Sequence, residues 1–351
     1  MRRDRNGSPF LVVGENIHAT RILKRAGRHA AELEDGTVAI AFDDADGSRA
    51  VLPVHPDTAA GRDFTAGKIK HVASAVRWGL DGGPNADVAA AYIRSMAARQ
   101  EAAGADWLDL NSDEVAADPE TRARAMAWLV GVVEAAAKVP VAIDSSDVGV
   151  LAAGVAASTR PAGPLLLNSA SLERPEVLEL AAATGCAVIL AASGRSGMPA
   201  NAEERIANAV AMIEEAMARQ IPPDRLFVDP LVLPVAVEPN APGHVLETAR
   251  QLRAEYGSSI HLTGGLSNVS FGLPERRLLN DVFIDLAVSA GIDSGIIDPV
   301  ASDLVRVFGA DRETEPYRLA ADLLLGRDPF GGEYVAAFRD GRLGGEGAAS
   351  G

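Results

Sequence analysis

The sequence predicts an α/β chain of the (β/α)8 TIM barrel class, with an insertion after strand 1 on the C-terminal face. Short apolar runs rich in Val, Ile and Leu recur along the 351 residues, at intervals of roughly 20 to 40 residues, with Ala-rich helical stretches between them. Eight such runs suit a closed parallel sheet, because parallel strands need crossover helices and bury both faces. A doubly wound open sheet is the alternative. Eight units fit it less well, and no Gly-x-Gly-x-x-Gly follows the first run to support dinucleotide binding.

The runs are residues 10–13, 107–110, 139–143, 164–167, 187–190, 226–228, 260–262 and 295–297. Between the first two, residues 34–84 break the repeat. They include two β-rich segments, 37–42 and 50–54, flanking Asp43-Asp-Ala-Asp-Gly-Ser48, a hairpin signal. A segment leaving strand 1 rises from the catalytic face of a barrel, so 34–84 is expected to form a cap or an arm. Residues 87–101 come next, with Val88, Ala91, Tyr92, Ile93, Met96 and Ala97 on one side of a helix. Residues 201–219 repeat the pattern through Ile206, Val210, Met212, Ile213 and Met217, with Glu203 and Glu204 favourably placed in the first turn. Residues 278–290 supply the helix before the last strand. The barrel is expected over 1–330 as one domain, with a flexible tail over 331–351 that ends in a Gly-rich run.

Composition narrows the function. The chain is 48% hydrophobic and 23% charged, a globular balance, and only 5% aromatic, so Ala, Val, Leu and Ile must build the core. Thirty-three basic against 48 acidic residues give a net charge of -15, which argues against nucleic acid or anionic membrane as partner. Cys186, the one cysteine, excludes an internal disulfide and a cysteine zinc cluster, and reads as a buried core residue. The charged start, Met1-Arg-Arg-Asp-Arg-Asn, does not read as a signal peptide, and no apolar run reaches about 18 residues. A cytoplasmic protein is expected.

The residues at the end of each run carry the chemistry. Strand 1 leads into Glu15, strand 2 carries Asp109 and leads to Asn111, and strand 3 ends at Asp144. Strand 4 ends at Asn168, strand 6 at Asp229, strand 7 leads through glycines to Asn268, and strand 8 ends at Asp298. In a barrel these positions share one mouth. Each alone could simply cap the next helix. Several segments, Asp229-Pro-Leu-Val-Leu-Pro234 most clearly, do not enter a helix directly. The six histidines show no His-x-x-x-His or His-Glu-x-x-His spacing, so no metal site is expected; His18 alone lies near the predicted mouth. Ser145 and Ser146 lack a Gly-x-Ser-x-Gly elbow, leaving hydrolase chemistry unsupported. A ring of acids and amides without metal ligands suits a flat heterocycle rich in donors. A pterin presents a ring N–H and an exocyclic amine that one carboxylate can accept together.

The segment Gly264-Gly-Leu-Ser-Asn-Val-Ser-Phe-Gly-Leu-Pro-Glu-Arg-Arg-Leu-Leu-Asn280, followed by Ala290-Gly-Ile-Asp-Ser-Gly-Ile-Ile-Asp-Pro299, closely resembles the pterin-binding methyltransferases. That family includes methyltetrahydrofolate:corrinoid methyltransferase and the folate module of cobalamin-dependent methionine synthase. The resemblance extends through Gly104-Ala-Asp-Trp-Leu-Asp-Leu-Asn111, Val141-Ala-Ile-Asp-Ser-Ser146, Leu167-Asn-Ser169 and Phe227-Val-Asp-Pro-Leu231, over about residues 10–16 and 85–310. It implies a barrel that binds tetrahydrofolate or 5-methyltetrahydrofolate and exchanges the methyl group with a corrinoid. It implies that Asp144, Asn168 and Asp229 grip the pterin edge, that Asn268 reaches N5 as the catalytic amide, and that Arg276 lies near the ring. Glu15, Asp109 and Asn111 are expected in the same site, with Ser267, Asp298 and His18 as further candidates. The other reading of Asn268 is a left-handed turn residue, and of Arg276 a charge at a helix N-terminus.

Two features depart from the family pattern. Gly14-Glu-Asn-Ile-His18 stands where the family has Gly-Glu-Arg-x-Asn, and the insertion replaces a short loop. Either could mark a corrinoid-independent demethylase that moves a methyl group from a small molecule to tetrahydrofolate. A dihydropteroate synthase would need a strand-7 lysine, and there is no lysine after Lys138. A non-catalytic pterin-binding protein conflicts with an intact Asn268. The chain lacks Asp-x-His-x-x-Gly, so a corrinoid would arrive on a separate protein. A homodimer is expected.

Overall fold

Strand and helix alternate where the pattern of apolar residues switches between continuous and helically spaced. The computed structural model describes residues 2–4, 7–44, 47–160 and 165–344. Pro164, with which one expected run begins, and residues 345–351 of the expected tail lie outside them. The barrel strands are β1 Pro9–His18, β2 Trp107–Asn111, β3 Val141–Asp144, β4 Leu166–Ala170, β5 Ala187–Ala191, β6 Leu226–Asp229, β7 His261–Leu262 and β8 Ser294–Ile297. The helices between and after them are α1 Pro84–Ala102, α2 Pro119–Glu134, α3 Val148–Ala157, α4 Glu176–Thr184, α5 Ala202–Ala218, α6 Ala241–Tyr256, α7 Arg276–Ser289 and α8 Leu304–Phe308. The strands pair in chain order from β1 to β7, and β8 pairs with β1, the topology of a nearly closed (β/α)8 barrel. Leu108, Leu110, Val141, Ile143, Leu166, Leu167, Val188 and Leu190 are all fully buried, as the two covered faces of a parallel sheet require.

By packing, the chain divides into two compact units. One comprises Met1–Val12, Ala170–Leu178 and Ile189–Gly351, the other Val13–Ser169 and Glu179–Val188. In the second unit the expected hairpin forms: Val38–Asp43 pairs antiparallel with Arg49–Pro53, and Ala30–Glu32 adds a third strand. The inserted region therefore starts before residue 34, since Ile22–Lys24 also belongs to it, paired with Lys68–Lys70. Its three-stranded sheet packs against α1 and contacts the helix His71–Asp81 that precedes it. Phe42 meets Tyr92 of α1 edge-on at 5.0 Å, and Trp78 Nε1 donates to Pro53 O at 2.7 Å. In the first unit, residues 332–339 are helical, in contrast to the flexible tail expected there. Tyr334 is the reason: it is completely buried, its N–H donates to Asp328 Oδ2 and its hydroxyl to Pro274 O. Cys186 is buried, as expected. No helix among the described residues is long and apolar enough to cross a membrane.

Helix starts are capped by residues other than the strand-end acids and amides. Asp118 accepts from Thr121 N ahead of α2, Asp147 from Gly149 N and Val150 N ahead of α3, and Asn201 from Glu204 N ahead of α5. Asp303 does the same for α8. Asp144 stands three residues before its cap. The capping role ahead of α3 and α5 is thus already filled, and capping does not account for Asp144.

Candidate active site

In the second unit four side chains share one level on four neighbouring strands. His18 is in register with Asn111, Asn111 with Asp144, and Asp144 with Asn168. Asp144 Oδ2 accepts from Asn111 Nδ2 at 3.0 Å and faces His18 Nε2 at 3.3 Å. His18 Nδ1 accepts the Thr20 backbone N–H at 3.2 Å, which leaves Nε2 as the ring nitrogen that donates toward Asp144. Asp144 Oδ1 takes no hydrogen bond among the described residues. Asn168 directs Nδ2 to Asp109 Oδ1 at 3.4 Å, and its own Oδ1 is likewise open.

Asn111, within this row, and Asp109, two residues before it on β2, support the others. Asp109 is buried, and that burial, then the neighbouring Asp144, pushes its carboxyl well above the usual carboxylate range. Asn111 commits its Oδ1 to Asp113 N at 3.0 Å. Glu15 lies at a β-bulge between Gly14 and Ile17. Glu15 pairs with Arg21, whose Nη2 lies 2.7 Å from Glu15 Oε1.

In the first unit Asp229 closes β6. Its Oδ1 accepts Leu231 N at 2.7 Å, with Leu231 in the left-handed region at φ 67°. Oδ2 is open among the described residues. Burial raises this carboxyl to about 6, against the pull of the Leu231 N–H and the Arg205 guanidinium. Gly264 makes room for it: a Cβ there would stand 3.1 Å from Asp229 Oδ1.

Asn268 sits in the turn Leu266–Ser270, and its side-chain amide makes no hydrogen bond among the described residues. Its backbone is not left-handed; Gly272 and Glu275 are the positive-φ residues of this motif. A turn requirement therefore does not explain the asparagine. Arg276 opens α7 but turns back on the same segment. Its Nε donates to Ser270 Oγ at 3.0 Å and Nη2 to Ser267 O at 3.2 Å, and its guanidinium lies 4.3 Å over the Phe271 ring. Ser267 thus contributes through its carbonyl. Asp298 accepts Val300 N and Ala301 N with Oδ1, shaping its own turn. Arg21 and Arg205 are additions that the strand-end pattern does not reach, because neither stands at the end of an apolar run.

Residues 80–298 match the family described as "Pterin binding enzyme". The chain is 30% identical over 259 residues to the methylcorrinoid:tetrahydrofolate methyltransferase of Eubacterium limosum, covering 72% of this chain and 89% of that one. It is 29% identical over 248 residues to the methionine synthase of Mycobacterium leprae, covering 66% of this chain and 20% of that protein's length. A solved structure of Yersinia pestis DHPS with a pterine-sulfa conjugate superposes with a TM-score of 0.50 at 20% identity, over 64% of this chain and 88% of that one. That likeness is one of fold.

Proposed function

The chain belongs to the pterin-binding enzymes, on their methyltransferase branch, and from that premise we propose that it moves a methyl group between N5 of tetrahydrofolate and a corrinoid on a separate protein. One observation supports this above the rest. Asp144, Asn168 and Asp229 each have one side-chain atom fixed by the protein and one left open, while the Asn268 amide is wholly unclaimed among the described residues. Side chains anchored through one atom with an acceptor left open are what orient a flat, donor-rich ring edge.

The residues then have separate tasks. Asp229 Oδ2 is an acceptor for a ring-edge donor of the pterin, and Asp144 Oδ1 and the Asn168 carbonyl are acceptors of the same kind. The bond that breaks joins the methyl carbon to N5, whose electron pair stays on nitrogen and must be protonated or hydrogen-bonded. Asn268 Nδ2 donates to N5 as that charge develops, so its stabilisation grows toward the transition state. Arg276 holds the 267–271 turn that carries Asn268. The Co(I) corrinoid is a substrate brought by its own protein. It accepts the methyl group in one direction, and the methylcorrinoid gives it up in the other.

The test is spectroscopic. Enzyme, free Co(I) cobalamin and 5-methyltetrahydrofolate should give the absorption of methylcobalamin at a rate proportional to enzyme. A protein that binds the folate yet never forms methylcobalamin, from free or protein-bound corrinoid, would be inconsistent with this reading.

A further inference from the structure

We propose that Arg205, on α5, is a positioning residue that pins the turn after Asp229 and supplies the counter-charge to its carboxylate. This rests on the pterin-binding reading of Asp229. Arg205 is 1% exposed and heads the fully buried side chains by volume. Stripping water from a guanidinium is costly unless partners replace it. The partners here are main-chain carbonyls: Nε donates to Pro230 O at 3.0 Å, and Nη1 to Asn201 O at 3.1 Å and Pro199 O at 3.3 Å. No carboxylate oxygen comes within ion-pair distance of it among the described residues. A whole positive charge is therefore buried with neutral contacts, and its charge is spent on groups further off.

Pro230 shows where. It lies between Asp229 and the left-handed Leu231, whose N–H grips Asp229 Oδ1. Arg205 thus holds the middle of the three-residue turn that aims the carboxylate. The groups that face Asp229 are this N–H from its own turn and Arg205 from α5. Arg205 in turn feels Glu204 on α5 and Glu238 from the segment after β6. A carboxylate accepting two N–H groups must be ionised, since the protonated acid presents a donor where the ligand also donates. Burial already drives the Asp229 carboxyl up to about 6. Without the Arg205 charge it would rise further, so ligand binding would fail at a higher pH.

The experiment is binding of 5-methyltetrahydrofolate between pH 6 and 9, measured by calorimetry on the full chain. Relative to its own affinity at pH 9, Arg205→Met should lose about threefold more than the parent at pH 6.5, the effect there of about one unit of carboxyl shift from about 6. Arg205→Lys should track the parent. Arg205→Gln keeps a donor for Pro230 without the charge, so it must show the same pH dependence if the methionine variant does not fold. Turnover at saturating folate should change little, since the loss lies in binding. A loss of equal size at every pH, or no loss, overturns the proposal and leaves Arg205 a packing residue. A parent protein that binds no folate at any pH overturns the pterin reading instead.

Discussion

Asn268 lies directly over Gly265: a Cβ built on Gly265 would stand 2.7 Å from Asn268 Nδ2. Gly265 itself has φ -72°, a conformation open to any residue. Its lack of a side chain therefore serves the asparagine and not the backbone. Gly265→Ala should displace the amide without straining the turn. We expect folate affinity to stay within about twofold and the single-turnover methyl-transfer rate to fall about 10- to 100-fold, in line with the loss of one transition-state donor. Parental rates from Gly265→Ala would show that the amide tolerates displacement.

Asn268→Ala removes the same donor outright. Its bond strengthens as N5 gains its proton, so the rate should fall by more than ground-state binding weakens. Single-turnover rates at saturating folate check this directly. An unchanged rate reduces Asn268 to a structural residue.

Much of this site is legible in the sequence. Asp144 and Asp229 end their strands where the apolar runs stop, whereas Asn168, expected at the end of strand 4, stands mid-strand because β4 continues to Ala170; in each case the pleat sets the side chain's direction. The supports are not legible. Arg21 reaches Glu15 across a bulge, and a bulge changes facing by one residue without changing the hydrophobic pattern. Arg205 lies within a helix, where an arginine reads as a solvated face. The insertion's hairpin shows in its alternation, but its docking on α1 depends on long-range packing of Phe42 and Trp78 that no local pattern encodes.

His18 offers a test of the row it joins. His18→Leu removes the Nε2 proton from Asp144 Oδ2, while His18→Gln can present an N–H at the same place. The KM for folate should rise about 5- to 10-fold in the leucine variant, since hydrogen bonds to charged groups contribute about 1.5 kcal/mol or more and this one is partly exposed. The glutamine variant should stay close to the parent, and kcat should move little in either. Equal KM values in all three proteins would remove His18 from the site.

Stability carries its own pH signature. His71 is buried beside Tyr92, whose hydroxyl lies 2.8 Å from Nδ1, and burial lowers its pKa to about 3. The native state therefore refuses a proton that the unfolded chain accepts at about 6.5. Stability is intact above that value and falls as pH drops below it, by about 1.4 kcal/mol per unit until pH approaches 3. Urea unfolding at pH 7 and pH 5 should show the decline, and His71→Gln should flatten it. An equal slope in the variant would place the acid sensitivity elsewhere.

Lys70 offers a test of whether the inserted region bears on the choice of methyl partner. Residues 34–84 cannot be trimmed cleanly, because Ile40, Leu52, Ile69 and Val72 are fully buried and their loss would strip the cover from α1. The contact with the catalytic-face loop after β2 is separable. Lys70 Nζ bridges Asp63 at 2.8 Å and Glu114 at 2.7 Å, and Arg77 donates to Val115 O from Nε and Nη2. Lys70 and its partners are partly exposed, so Lys70→Ala should cost under about 1 kcal/mol of stability. Glu114 would lose the cation that ties it to the insertion while Arg77 still holds Val115, so the change is confined to the Glu114 end of the loop that a docking protein must approach. Folate affinity should stay parental while transfer to a protein-bound corrinoid changes and transfer to free cobalamin does not. Unchanged rates with both acceptors would make the insertion an inert elaboration of α1.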